Sequence, residues 1–342
     1  MQNKHYMNQE IKYNVFKNQK EYIDTDKYHK YITHNGYSRP IMLIIETVNI
    51  CNNKCIICAY SKISRKQDIM SHDIFRKTIK DYIDLGGGPL SLTPVVGEVF
   101  LDKELISRYK EILQHPEITQ VSFTTNATKS SNFNDDNLIF ILKNTYRIHI
   151  SIYGMDEEEY YLMTGRKGYT QLVNSIKRIL SLVDDTNKIV FGFRSLRKYE
   201  DQNYRAWIFD NFEIEIPFAS TNHYANWGVL DTKNRLPFDA SWIEAKKVTN
   251  QCMIPLVACQ VFVNGSVSFC PCDDFDSIDE LHLGSIQNNT LLEIYNSSRT
   301  KELWNFKQQV PQFCEKCSFF KPITELKENE YMYENPHYFI GG

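Results

Sequence analysis

The strongest constraint on the fold is an alternation of strand-like and helix-like segments over roughly 180 residues, from about 40 to 220. "RPIMLIIET" (39–47) is a short continuous apolar run opened by a proline, the pattern of a strand buried on both faces. "SHDIFRKTIKDYIDLGGG" (71–88) follows as a helix. Ser71 is its N-cap, Ile74, Phe75, Thr78, Ile79, Tyr82 and Ile83 share one face, and three glycines mark its stop. The pattern repeats with strand "PLSLTPVV" (89–96) and helix "DKELISRYKEIL" (102–113), then strand "ITQVSFTT" (118–125) and helix "NDDNLIFILKN" (134–144). Strand "RIHISIYG" (147–154) precedes helix "YTQLVNSIKRILSLV" (169–183), and "KIVFGFRSL" (188–196) and "FEIEIPFAS" (212–220) bring the strands to at least six. This alternation predicts an α/β fold with a parallel sheet, open or closed into a barrel, whose chemistry gathers at the carboxyl ends of the strands.

The chemically versatile residues fall at those ends. Cys51, Cys55 and Cys58 lie just past the first strand, and Gly97–Glu98 just past the second. Asn126 follows the third, Ser151 lies at the end of the fourth, and Arg194, Asn222 and His223 mark the later ends. Composition narrows the partners. A net charge of −3 gives no broad basic field for nucleic acid, and the longest apolar runs fall short of the ~18–20 residues that span a bilayer. The opening "MQNKHYMNQE" has no apolar signal core, so a cytoplasmic location is expected. Nine cysteines form an odd, grouped set that points to metal rather than a disulfide framework. A gap of roughly 190 residues between Cys58 and Cys252 suggests two metal sites in two structural units.

From about 250 the pattern changes. "LVACQVFV", "NG" and "SVSFC" (256–270) predict a β-hairpin with a type I′ turn at Asn264–Gly265. "LLEIYNSSRTKELWNFKQQ" (291–309) reads as a helix leading to "CEKC" (314–317). The expected organisation is a lead-in over 1–40, a β/α core over 41–249, a small cysteine-rich α+β domain over 250–325 and a tail over 326–342.

Three thiols in one short loop leave a question of valence. Structural zinc takes four protein ligands, whereas a cubane cluster held by three cysteines keeps one iron open. No nearby His or Cys supplies a fourth ligand; His72 only opens the following helix. The C-x3-C-x2-C loop after the first strand, with a Gly-Glu at the end of the next, resembles radical S-adenosylmethionine (SAM) enzymes. That resemblance implies a partial (β/α)6 TIM-type barrel, with Cys51, Cys55 and Cys58 holding a [4Fe–4S] cluster whose open iron chelates SAM. One electron then splits the sulfonium, and the resulting 5′-deoxyadenosyl radical abstracts hydrogen from a substrate carbon. "VVGEVFLD" (95–102) resembles the family's Gly-Gly-Glu-Pro-type motif, with Gly97 and Glu98 matched and Val96 and Val99 departing from it. By the same resemblance Glu98 accepts from the SAM amino group. Ile57 stands where an aromatic usually faces adenine, and Ser151 and Arg166 match polar partners of the ribose and carboxylate. Asn126 in "TTNAT" matches a Thr-Asn-Gly strand end, with Ala127 in place of glycine.

Cys252, twelve residues, Gly265, four residues and Cys270, followed by Cys314 and Cys317, resemble the auxiliary-cluster domain called SPASM or its shorter form, twitch. The resemblance implies one auxiliary [4Fe–4S] cluster held by Cys252, Cys270, Cys314 and Cys317; a four-cysteine zinc ribbon is the other reading. A type I′ turn would set Cys259 opposite Cys270, with Cβ atoms ~5 Å apart, so Cys259 competes with Cys252 as ligand. Cys272 is also close. Cys259 and Cys272 otherwise remain as core residues or as catalytic thiols that donate a hydrogen atom. The single-auxiliary-cluster pattern resembles twitch enzymes of the 2-deoxy-scyllo-inosamine dehydrogenase type and related sugar epimerases. It implies dehydrogenation or epimerisation of a sugar, aminocyclitol or nucleotide-linked sugar, with Arg194 or His223 as general base. Maturation of a ribosomally made precursor peptide is the second reading, and a non-catalytic zinc or iron–sulfur scaffold the third. A flavodoxin- or ferredoxin-type electron donor completes the expected partners; neither nucleic acid nor membrane is among them.

Overall fold

Six parallel strands follow in chain order: β1 (Met42–Ile45), β2 (Gly88–Ser91), β3 (Ile118–Thr125), β4 (Arg147–Tyr153), β5 (Ile189–Arg194) and β6 (Phe218–Thr221). Each pairs in parallel with its neighbour in sequence. The connections carry α1 (His72–Asp84), α2 (Leu105–Ile112), α3 (Asp135–Lys143), α4 (Glu157–Thr164), α5 (Tyr169–Leu182) and α6 (Asp201–Phe212). This computed structural model describes residues 30–248, 250–304 and 310–324. The expected tail over 326–342 lies outside the described residues, and the lead-in is described only from residue 30.

Period-two alternation divides each strand between two environments. Leu43 and Ile45, Leu90, Val121 and Phe123, Ile148, Ile150 and Ile152, and Phe191 and Phe193 belong to one buried apolar cluster with helix residues such as Phe75, Ile79, Leu105 and Ile176. The intervening positions Ser91, Ser122, Thr124, His149, Ser151 and Arg194 give the other face of the sheet a polar character. The α1 boundaries follow their sequence signals. The Ser71 hydroxyl accepts the Ile74 N–H, and Gly86, Gly87 and Gly88 all take positive φ at the stop. At Gly87 a Cβ would stand 2.4 Å from the Glu117 carbonyl oxygen, so only glycine fits there. Helix α4 was not foreseen. Asp156 caps it by accepting the Glu159 N–H, and Gly165 ends it in the left-handed region.

The segment after 250 continues the sheet of the β/α core. Strand β7 (Ala258–Val261) pairs in parallel with β1, Cys259 opposite Leu43, and β8 (Ser266–Ser268) and β9 (His282–Ser285) extend the sheet antiparallel. The result is one nine-stranded sheet ordered β9-β8-β7-β1-β2-β3-β4-β5-β6. The hairpin turn also differs from type I′. The Gly265 N–H donates to Phe262 O and the Phe262 N–H to Ser266 O, and Gly265 takes positive φ while Asn264 does not. This is a type I turn followed by a left-handed glycine, a three-residue hairpin loop. It fixes Gln260 opposite Ser268 and Val261 opposite Val267, one position away from the expected Cys259–Cys270 pairing. A one-residue slip changes which face each side chain occupies.

The helix expected over 291–309 is interrupted. It splits into α7 (Leu291–Tyr295) and α8 (Ser298–Leu303), with 305–309 outside the described residues. Between them the Asn296 amide accepts from the Ser38 N–H and donates to Ser38 O, a pair of contacts that a continuous helix does not determine locally. Among the described residues no helix is long and apolar enough to cross a membrane.

Candidate active site

The three-cysteine loop leaves β1 and is pinned from four sides. The Lys54 N–H donates to Thr164 O and the Ile56 N–H to Met163 O, so the C-terminal turn of α4 supports the loop. The Cys51 N–H donates to the Tyr60 hydroxyl at 2.9 Å. Two sulfurs accept backbone donors, Cys51 from Asn53 and Cys58 from Tyr60, each at 3.4 Å. The Asn126 amide donates to Asn52 Oδ1 at 3.1 Å, tying the end of β3 to the loop.

Gly97 and Glu98 sit against this loop because the backbone approaches closely. A Cβ on Gly97 would lie 2.6 Å from Val48 O, and the Glu98 N–H donates to Ile50 O. The Glu98 carboxylate is buried, accepts the Asn126 N–H at 2.7 Å and the Phe100 N–H at 3.2 Å, and takes a short hydrogen bond from the Thr125 hydroxyl. Burial pushes its pKa up to about 7, against the opposing pull of those donors. An acceptor so placed gains from a cationic donor such as an ammonium group.

A cavity of about 400 Å³ brings the strand ends together. Its lining includes Cys51, Cys55, Cys58, Ile57, Gly97, Glu98, Asn126, Ser151, Arg194, His223 and Cys272. Arg194 Nη1 donates to Ser151 Oγ at 3.1 Å, and His223 Nδ1 stands 2.7 Å from Ser241 Oγ. Three expected residues do not line it: Asn222, whose amide donates to Asp239 O at 3.3 Å, Arg166 and Cys259. Arg166 is exposed, because α4 ends at Thr164 and Gly165, at φ 70, turns the chain outward. Cys259 is buried with Tyr82 and Tyr295 in the helix-side core, its sulfur 4.0 Å from Ser268 O. The hairpin register places it there, which removes it as a competitor for Cys252 and as a thiol facing the cavity.

Sequence reasoning missed the cavity's aromatic wall of Tyr60, Tyr153, Tyr224 and Trp227. Tyr153 carried a signal, since it follows Ser151 at the strand period. Trp227 carried none: it lies in a loop at φ 55, and its indole donates to Ile57 O at 2.9 Å. It sets an aromatic surface beside the position where Ile57 replaces one.

The C-terminal thiols form the second group. Cys270, Cys272, Cys314 and Cys317 each feel the charge of Cys252, and Cys317 Sγ donates to Asp273 Oδ2 at 3.1 Å. Burial first, and neighbouring negative charge after it, pushes Cys270 up to about 12; burial alone dominates at Cys252, pushed up to about 11. Cys51 is likewise pushed up to about 12 by burial and the Glu98 charge. Thiolates so crowded persist only against positive charge such as iron. Both thiol groups therefore have the donor chemistry of an iron–sulfur site. Among the described residues, no three His, Cys, Asp or Glu side chains converge closely enough to hold a single metal ion.

The model of the radical SAM superfamily matches residues 45–196, and that of the iron–sulfur cluster-binding SPASM domain matches 252–318. The chain carries a radical SAM domain followed by a SPASM domain. These domains take S-adenosylmethionine and [4Fe–4S] clusters as cofactors. A GTP 3′,8-cyclase of Mannheimia succiniciproducens is 23% identical over 172 residues, covering 49% of this chain and 50% of that protein. The chain thus spans about half the length of the cyclases it matches. A cysteine-type anaerobic sulfatase-maturating enzyme of Clostridium novyi is 22% identical over 327 residues, covering 82% of this chain and 85% of that one. The fold is shared with BtrN in complex with AdoMet and 2-DOIA (TM-score 0.54, 16% identity, 82% of this chain and 94% of that one). It is shared too with Streptococcus suis SuiB bound to S-adenosylmethionine (TM-score 0.52, 14% identity, 91% and 78%).

Proposed function

We propose that this chain is a radical SAM enzyme that removes hydrogen from a carbinol carbon of a sugar, aminocyclitol or nucleotide-linked sugar, and that the net reaction is an epimerisation. The observation that carries this reading is the place of Cys272, a thiol lining the same cavity as Cys51, Cys55 and Cys58. In this reading Cys51, Cys55 and Cys58 hold the SAM-binding cluster, and Cys252, Cys270, Cys314 and Cys317 hold the auxiliary one. The bound cofactors supply a 5′-deoxyadenosyl radical that takes the substrate hydrogen. Glu98 accepts from the SAM ammonium, Ser151 and Asn126 orient its polar groups, and Ile57 and Trp227 exclude water from one side.

Cys272 completes the exchange. Its S–H bond breaks and a C–H bond forms on the opposite face of the substrate radical, inverting the carbon. One electron from an external iron–sulfur or flavin donor and one proton from solvent restore the thiol. Arg194 and His223 hold hydroxyl or anionic groups of the substrate.

Turnover in deuterated water with candidate sugars tests the assignment. Deuterium at the inverted carbon is expected, and its loss in Cys272→Ala with 5′-deoxyadenosine still formed. A new carbonyl without deuterium at carbon would instead assign a dehydrogenase, with the auxiliary cluster taking the second electron. A second reading, modification of a protein or peptide, draws on the likeness to the sulfatase-maturating enzyme over most of both chains. A precursor peptide modified at carbon while every sugar stays inert would favour it.

A further inference from the structure

We infer that the outer surface of the first cysteine loop, where Lys54 and Ile56 meet the end of α4 with Tyr161, Arg166 and Lys167, docks an acidic flavin protein that delivers the electron. The inference rests on the reading of Cys55 as a ligand of the SAM-binding cluster. Burial alternates along the loop as it does in a strand: Asn53, Cys55 and Ile57 are buried, while Lys54 and Ile56 are exposed. The buried three line the cavity. The exposed pair is braced on α4, with the Lys54 N–H donating to Thr164 O at 3.0 Å and the Ile56 N–H to Met163 O at 2.9 Å. A Cβ on Gly165 would stand 3.8 Å from Lys54 Cβ, so the lysine stem borders the turn that leads to Arg166 and Lys167. Tyr161 lies one helical turn earlier on the same face, and its carbonyl accepts the Gly165 N–H.

Charge and exposure define the partner. Ile56 is 37% exposed and Tyr161 50%, two apolar groups flanked by three exposed cations. Lys54, Arg166 and Lys167 form no ion pair among the described residues. The acids of α4 are engaged elsewhere. Arg197 pairs with Asp156 and Glu158, and Glu157 accepts the Gly168 N–H at 3.1 Å and the Tyr169 N–H at 3.2 Å. The surface therefore keeps uncompensated positive charge around an apolar centre, the complement of an acidic protein. Position selects the class of that protein. The surface lies one residue from Cys55, on the side of the loop opposite the cavity, so a donor docked there displaces neither SAM nor substrate. The step moves one electron: the donor's flavin hydroquinone becomes a semiquinone, and the oxidised cluster is reduced.

The test uses the reconstituted full chain, a bacterial flavodoxin and the double variant Lys54→Glu/Lys167→Glu. Calorimetry is expected to show flavodoxin binding the parent, more weakly as salt rises, and binding the variant about tenfold more weakly still. Stopped-flow reduction of the cluster by flavodoxin hydroquinone should slow with it. Reduction by photoreduced deazaflavin, which needs no docking surface, should proceed equally in both. Lys54→Arg/Lys167→Arg should keep the parental affinity. A parent that binds no flavodoxin, or a glutamate variant with parental affinity and reduction rate, would overturn the inference. Weakened binding of an acidic precursor peptide, with flavodoxin-driven reduction intact, would assign the surface to that peptide instead. An EPR signal that still responds to SAM in Cys55→Ala would overturn the ligand reading beneath the inference.

Discussion

At the scale of single residues, environment decides what each polar group does. Glu98 shows a carboxylate held by one local donor, the Phe100 N–H of the turn it caps, and by two from the end of β3, Thr125 and Asn126. His149 shows the converse, a buried imidazole on the polar face of β4. Burial first, then the cations of Arg147 and Arg194, bring its pKa from 6.5 down to about 4. Because the folded value is depressed, the unfolded chain takes up the proton first as pH falls. Stability should therefore be lost between about pH 6.5 and 4, by about 3 kcal/mol in all. Denaturant melts of His149→Gln should lack that part of the pH slope; identical slopes in both proteins would sink the assignment. His149 and Arg194 were both visible in the sequence as members of strands, but their mutual field was not, since it depends on register between β4 and β5.

At the scale of elements, the site is built by close approaches between loops. Gly97 allows the β2 loop to press on 48–50, and no local pattern in "VVGEVFLD" reports that contact. Gly97→Ala places a methyl 2.6 Å from Val48 O and 2.9 Å from Pro94 Cβ, so the loop must move. A loss of about 1–3 kcal/mol in stability is expected, together with weaker SAM binding by calorimetry. Equal affinity and stability would show that the contact is slack. The same reasoning explains the unforeseen α4. Its Asp156 cap and Gly165 stop were legible signals, whereas its support of the cysteine loop through the Met163 and Thr164 carbonyls was not.

At the scale of the whole molecule, the C-terminal segment is part of the same sheet and is locked to the cysteine loop by ions. Arg65 follows that loop and donates to both carboxylate oxygens of Glu46, at 2.6 and 3.1 Å, and to Phe275 O at 2.8 Å. Asp276 accepts from the Ser64 and Arg65 backbone N–H groups. Glu46 is fully buried, so Arg65→Met leaves a carboxylate without its guanidinium partner in the interior. A loss of about 3–5 kcal/mol is expected from chemical denaturation, and adding Glu46→Gln should recover much of it. A single variant within 1 kcal/mol of the parent, about the size of an exposed ion pair, would mean the clamp carries no load.

The sequence alone determined the β/α alternation, the helix faces and the two thiol groups, because these depend on periodicity and spacing within short windows. It also placed Glu98, Ser151 and Asn126 at strand ends that share one rim. Tertiary structure decided the rest. The joining of β7 to β1, the turn that sends Cys259 into the core, the outward path of Arg166 and the arrival of Trp227 beside Ile57 each depend on partners far apart in the chain. A side chain's local pattern says which face is buried; only the folded sheet says what that face meets.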